Sequence, residues 1–120
     1  MGKRKGEKEQ EFTFHDLLRK MIDHHGVVNS KFITIEEFSE LTKEITKDLR
    51  GNFRKEFFME ELADVFICLE MLMLVYEVDK EEFDEYVVDK MFRNMTRIKN
   101  DVALGEVMKN VVEKGGGTLL

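Results

Sequence analysis

Apolar residues recur at three- and four-residue steps through most of this chain, and that period predicts helices rather than strands. In residues 12–25, Phe14, Leu17, Leu18, Met21 and Ile22 share one face, and Gly26 is a natural stop. Residues 27–33 include Asn29 and Ser30 and are expected to form a loop. A second helix is expected from about Thr34, with Ile35, Phe38, Leu41, Thr42, Ile45 and Leu49 as its apolar stripe. Thr34-x-x-Glu37 fits a capping box at its start, and Gly51-Asn52 fits its end. The third segment, about 54–77, is apolar nearly all round, from Phe57 and Phe58 to Leu74 and Val75. A helix without a polar face must be covered on several sides, so association between copies of the chain through this helix is expected. Asp79, with Glu82 three residues on, is expected to cap a fourth helix in which Phe83, Tyr86, Val87 and Met91 recur. Residues 102–113 read as a short further helix before a glycine run at 115–117.

Composition sharpens this into an all-α expectation. Proline is absent, while Met, Leu, Glu and Lys are plentiful. The 120 residues suffice for one domain and are too few for two comfortable ones. The expected organisation is a disordered charged start at 1–10, a helical domain over 11–100, and a C-terminal extension at 101–120 made of a short helix and a flexible tail. A net charge of −6 argues against a nucleic-acid backbone as partner. The most apolar run, 62–76, contains Asp64 and Glu70 and falls short of the roughly 20 residues a membrane span needs, so no membrane partner is expected. The single cysteine excludes an intrachain disulfide and a multi-cysteine zinc site. Cys68 sits among apolar neighbours and is expected in the core, which fits a reducing cytoplasm.

The candidate chemistry lies in two acidic pairs, Glu37-x-x-Glu40 and Glu61-x-x-Asp64. Carboxylates three apart share a helix face. Four of them together repel one another unless a cation neutralises them. An all-carboxylate donor set suits Mg²⁺ or Mn²⁺ better than zinc. Each pair also has a plainer explanation. Glu37, Glu40 and Glu44 form an acidic stripe that could be a solvated flank, with Glu37 serving the capping box. Glu61 and Asp64 share a stripe with Phe57, Cys68, Met71 and Val75, where Lys55, Arg54 or Lys90 could pair with them. Lys90, Arg93, Asn94 and Arg97 could serve phosphate oxygens or simply complement the helix dipole.

Taken in order, these residues resemble the MazG-type all-α nucleoside triphosphate pyrophosphohydrolases. The resemblance is carried by Glu36-Glu37-x-x-Glu40, 20 intervening residues, Glu61-x-x-Asp64 within EELADV, the VDKEE stretch at 78–82, and the Lys/Arg/Asn-bearing stretch at 89–97. It spans roughly residues 12–100. It implies a four-helix bundle completed as a homodimer or homotetramer. It implies Mg²⁺ held by Glu37, Glu40, Glu61 and Asp64, and cleavage of a nucleoside triphosphate to the monophosphate and pyrophosphate. Lys90, Arg93 and Asn94 would contact phosphates, and Phe14 and His15 would border the base. Either Glu37 or Glu40 could accept the proton of the attacking water. Two other functions fit the same residues: a phosphoribosyl-ATP pyrophosphohydrolase, and a non-catalytic helical dimerisation module.

Overall fold

The computed structural model describes residues 11–113. The expectations for 1–10 and for the tail from 114 onward lie outside the described residues. The fold is all-α, with helices α1 (Phe14–His25), α2 (Val27–Leu49), α3 (Lys55–Val75) and α4 (Lys80–Glu113). Among the described residues there is no strand. The chain divides into two compact units, the first ending at Val78 and the second beginning at Asp79.

Within the first unit, α1 starts at a capping box. Asp16 N–H donates to the Thr13 hydroxyl at 3.1 Å, and Thr13 N–H donates to the Asp16 carboxylate at 3.0 Å. Gly26 ends α1 at φ +84, ψ 159, a region that essentially only glycine tolerates.

The chain re-enters helix at once, so the expected loop at 27–33 does not form and the capping box at Thr34 is not used. The hydroxyls explain the difference. Ser30 donates to the Gly26 carbonyl at 2.7 Å, and Thr34 donates to the Ser30 carbonyl at 2.9 Å. Residues that usually favour turns are satisfied inside the helix by this back-bonding. Both are buried, at 0% and 2% exposure, where their small side chains suit a close helix–helix approach. Glu37 therefore lies well inside α2 and is free of any capping role.

The α2–α3 connection is brief and well defined. Asn52 N–H donates to Lys47 O at 2.8 Å and Gly51 N–H to Asp48 O at 2.9 Å, with Gly51 at φ +82. These two bonds make a Schellman motif, as Gly51-Asn52 predicts. The helices then pack antiparallel, each step forward on α2 matched by an equal step back on α3. Val27 and Leu74 line one cavity. Thr34 stands beside Cys68. Glu37 meets Asp64, and Lys47 shares a groove with Arg54.

The core of this unit is Leu18 of α1 with Cys68 and Met71 of α3, flanked by Ile22, Ile33, Ile67, Leu74 and Val75. Cys68 is buried, as its neighbours predict. α3 ends two residues before the expected boundary because Glu77 adopts φ 52. The same paired bonds recur there, Val78 N–H to Met73 O at 2.8 Å and Glu77 N–H to Leu74 O at 3.2 Å.

In the second unit, Asp79 accepts the Glu81 N–H at 3.4 Å ahead of α4. This differs from the expected box closed by Glu82. The short helix expected at 102–113 is the continuation of α4. Without a proline, Gly105 alone does not stop it; a mid-helix glycine costs only about 1 kcal/mol. None of the α4 side chains is buried.

Candidate metal centre

Glu37 comes from the middle of α2 and Glu61 and Asp64 from the first half of α3. Their residue spacing and the antiparallel pairing bring the three carboxylates together. One oxygen from each lies within 4.8 Å of the others. Glu40 stands one turn beyond Glu37 on the same stripe but outside this set of three. Its Oε1 accepts from Lys43 Nζ at 3.0 Å.

The cluster is electrostatically strained. Burial pushes the Glu37 carboxyl above its ordinary range, and the charges of Asp64 and Glu61 push it the same way. Burial likewise raises Glu61, with Asp64, Glu40 and Glu44 adding to the effect. Glu61 Oε2 is a buried oxygen without a hydrogen-bond partner among the described residues. An acceptor left bare in this way is rare in folded proteins.

Among the described residues, neither Arg54 nor Lys55 makes an ion pair with Glu61 or Asp64. Arg54 instead lies over the Phe57 ring, its guanidinium carbon 5.0 Å from the centroid. The acids thus face one another without a protein cation from their own helix. A hard divalent ion fits this donor set: the ligands are all oxygen, they come from two rigid helices, and one bare oxygen needs a partner.

Glu44 is the residue that spacing underrated. It lies on the stripe of Glu37 and Glu40, yet in sequence it ranks as a secondary acidic neighbour. It is only 7% exposed, its Oε1 accepts from Lys47 Nζ at 3.0 Å, and its charge reaches Glu61. The seven-residue step from Glu37, two turns on one face, is the signal that marks it.

The other candidates are placed as follows. The Phe14 ring stacks with that of Phe66 on α3, centroids 6.3 Å apart. His15 is exposed on α1. Lys90, Arg93 and Asn94 are exposed on α4, in the second unit. No helix is long and apolar enough to cross a membrane among the described residues. Comparison with family models, characterised proteins and solved structures gives no significant match.

Proposed function

We propose that this protein is a MazG-like, Mg²⁺-dependent nucleoside triphosphate pyrophosphohydrolase, an all-α bundle completed by homo-oligomerisation. The observation that carries the proposal is the convergence of Glu37, Glu61 and Asp64 from two helices, with one Glu61 oxygen buried and bare. The ordered motif Glu36-Glu37-x-x-Glu40 and Glu61-x-x-Asp64 supports the same reading. Glu37, Glu61 and Asp64 would hold Mg²⁺, or Mn²⁺ in its place, with Glu40 adjoining them. The ion would neutralise the carboxylates and offset charge on the substrate's phosphate oxygens. Glu40, outside the set of three, is then the carboxylate best left to accept the proton of the attacking water, with Glu37 the other candidate. Lys90, Arg93 and Asn94 keep their proposed role as phosphate contacts, and Phe14 and His15 as border of the base. The cytoplasm remains the proposed compartment.

The test is pyrophosphate release from a panel of nucleoside and deoxynucleoside triphosphates, and from phosphoribosyl-ATP, with Mg²⁺. At least one substrate is expected to turn over. Glu61→Gln and Asp64→Asn should each lose more than the ~10–100-fold typical of removing an outer-shell partner of a metal ligand. A folded protein that releases pyrophosphate from none of them sinks the proposal. The panel also separates the phosphoribosyl-ATP enzyme from the other triphosphatases.

A second reading, a non-catalytic dimerisation module, has one observation in its favour. Met59, Leu62, Ala63, Phe66 and Ile67 of α3 line an almost wholly apolar cavity of about 430 Å³. That module would gain no stability from Mg²⁺.

A further inference from the structure

We infer that the groove at the closed end of the α2–α3 hairpin is a phosphate subsite. Lys47, Asn52 and Arg54 there take the outer phosphates of a substrate whose reacting phosphate sits at the carboxylate cluster. The inference rests on the reading of that cluster as a metal centre.

The groove measures about 240 Å³ and is lined by Glu44, Lys47, Asn52, Arg54 and Phe57. Its charge is opposite to that of the cluster beside it, with two cations against one carboxylate. Lys47 is tied to Glu44, but its side chain is half exposed and an ammonium has three donors. The Arg54 guanidinium carbon lies over the Phe57 ring, 5.0 Å from its centroid, and the group makes no ion pair among the described residues. A guanidinium without an ion-pair partner is well suited to grip phosphate oxygens in a fork. The Asn52 amide adds a neutral donor. Arg54 is also the N-cap of α3, and no side chain caps that end. The first-turn N–H groups of α3 therefore add to the same positive field.

Position and size decide what the groove holds. Phe57 precedes Glu61 by one helical turn, about 6 Å of rise. Glu44 belongs to both places, since it lines the groove and its charge reaches Glu61. Two linked phosphates bridge such a step. The volume falls below the roughly 300–1,000 Å³ of pockets that enclose whole small-molecule ligands. It suits a phosphate tail and not a nucleoside. Cations at this end would hold the phosphate oxygens that a metal at the cluster does not reach, so the pyrophosphate portion of a triphosphate would lie toward the hairpin turn.

Inorganic tripolyphosphate is the probe, titrated by calorimetry with and without Mg²⁺ into wild type, Arg54→Gln and Lys47→Gln. Far-UV circular dichroism confirms that each variant is folded. Arg54 is exposed, so Arg54→Gln is the cleaner variant; Lys47→Gln also loosens Glu44. The expected result is at least tenfold weaker tripolyphosphate binding in Arg54→Gln, with Mg²⁺ binding unchanged. Equal binding by wild type and Arg54→Gln overturns the subsite and leaves the metal centre standing. So does wild type that binds Mg²⁺ but not tripolyphosphate. Wild type that binds no Mg²⁺ overturns both readings.

Discussion

One oxygen of Glu61 is buried and accepts no hydrogen bond among the described residues, while Asp64, Glu40 and Glu44 press on the carboxyl with like charge. A group in that position favours its proton more in the folded state than in the unfolded one. The same holds for Glu37. The sign of the pH effect follows. Below the ordinary carboxyl value of 4.5, both states hold these protons and no penalty exists. As pH rises above it the unfolded chain loses them first, so stability falls until the folded groups ionise too. Asp16 acts in reverse: the Thr13 backbone N–H, then its hydroxyl, hold it below 3.8, so its contribution is lost as pH drops through that lower range. Metal-free protein is therefore expected to be most stable in mildly acidic buffer and less so at neutral pH. Glu61→Gln should flatten that decline and raise metal-free stability at pH 7. Mg²⁺ should stabilise only the wild type, by about 2.7 kcal/mol at 100 times its Kd. Thermal melts across pH, with and without Mg²⁺, check each part. A Mg²⁺ response retained in Glu61→Gln would remove this residue from the site.

At the scale of elements, two helices end in the same bonding pattern with different residues at the left-handed position. α2 uses Gly51, at φ +82, and α3 uses Glu77, at φ 52. A side chain in that conformation costs roughly 1–2 kcal/mol. Gly51→Ala is accordingly expected to destabilise by about 1 kcal/mol, and Glu77→Gly to stabilise by several tenths to about 1 kcal/mol, measured by urea unfolding. Equal and same-signed shifts would show that backbone strain is not what distinguishes the two ends. These ends also mark how far local pattern reaches. Gly26 and Gly51 are legible as stops because few other residues fit their dihedrals. The left-handed Glu77 is not, since glutamate rarely takes that role. Residues 27–33 read as a loop because Asn29 and Ser30 ordinarily compete with helix. The back-bonding of the Ser30 and Thr34 hydroxyls and the burial of both side chains reverse that preference.

For the molecule as a whole, the described residues bury a small core and leave large apolar side chains exposed on every helix, Phe66 at 57% among them. Such surface is unusual for a chain that works alone. The proposed oligomer gives it cover. Met59→Lys tests this on the side of α3 about 200° from Glu61. Wild type is expected to show a multiple of 14.2 kDa by light scattering, and the variant a lower multiple with unchanged helicity. A wild-type monomer at high concentration would leave the apolar face unexplained by self-association. The acidic pairs were legible in the chain because carboxylates stand out in apolar stripes. Which of them converge was not, because helical spacing assigns a face but not a depth. Glu44 proves buried, and Glu40 turns to Lys43 while Glu37 turns to the cluster.

The matched steps of α2 and α3 make the distance between the two acidic motifs a ruler folded in half at Gly51. Residues added to one arm alone would slide Glu37 past Asp64. Residues added equally to both arms would lengthen the hairpin and leave the carboxylates opposed. The addition must also come in near-whole turns, about seven residues per arm for two turns, or the acids rotate off the shared face. A lengthened linker is thus expected to keep the site only where the added residues come in even, paired steps. A chain with an odd linker would need a bulge or a longer turn at residues 50–54 to keep the same site.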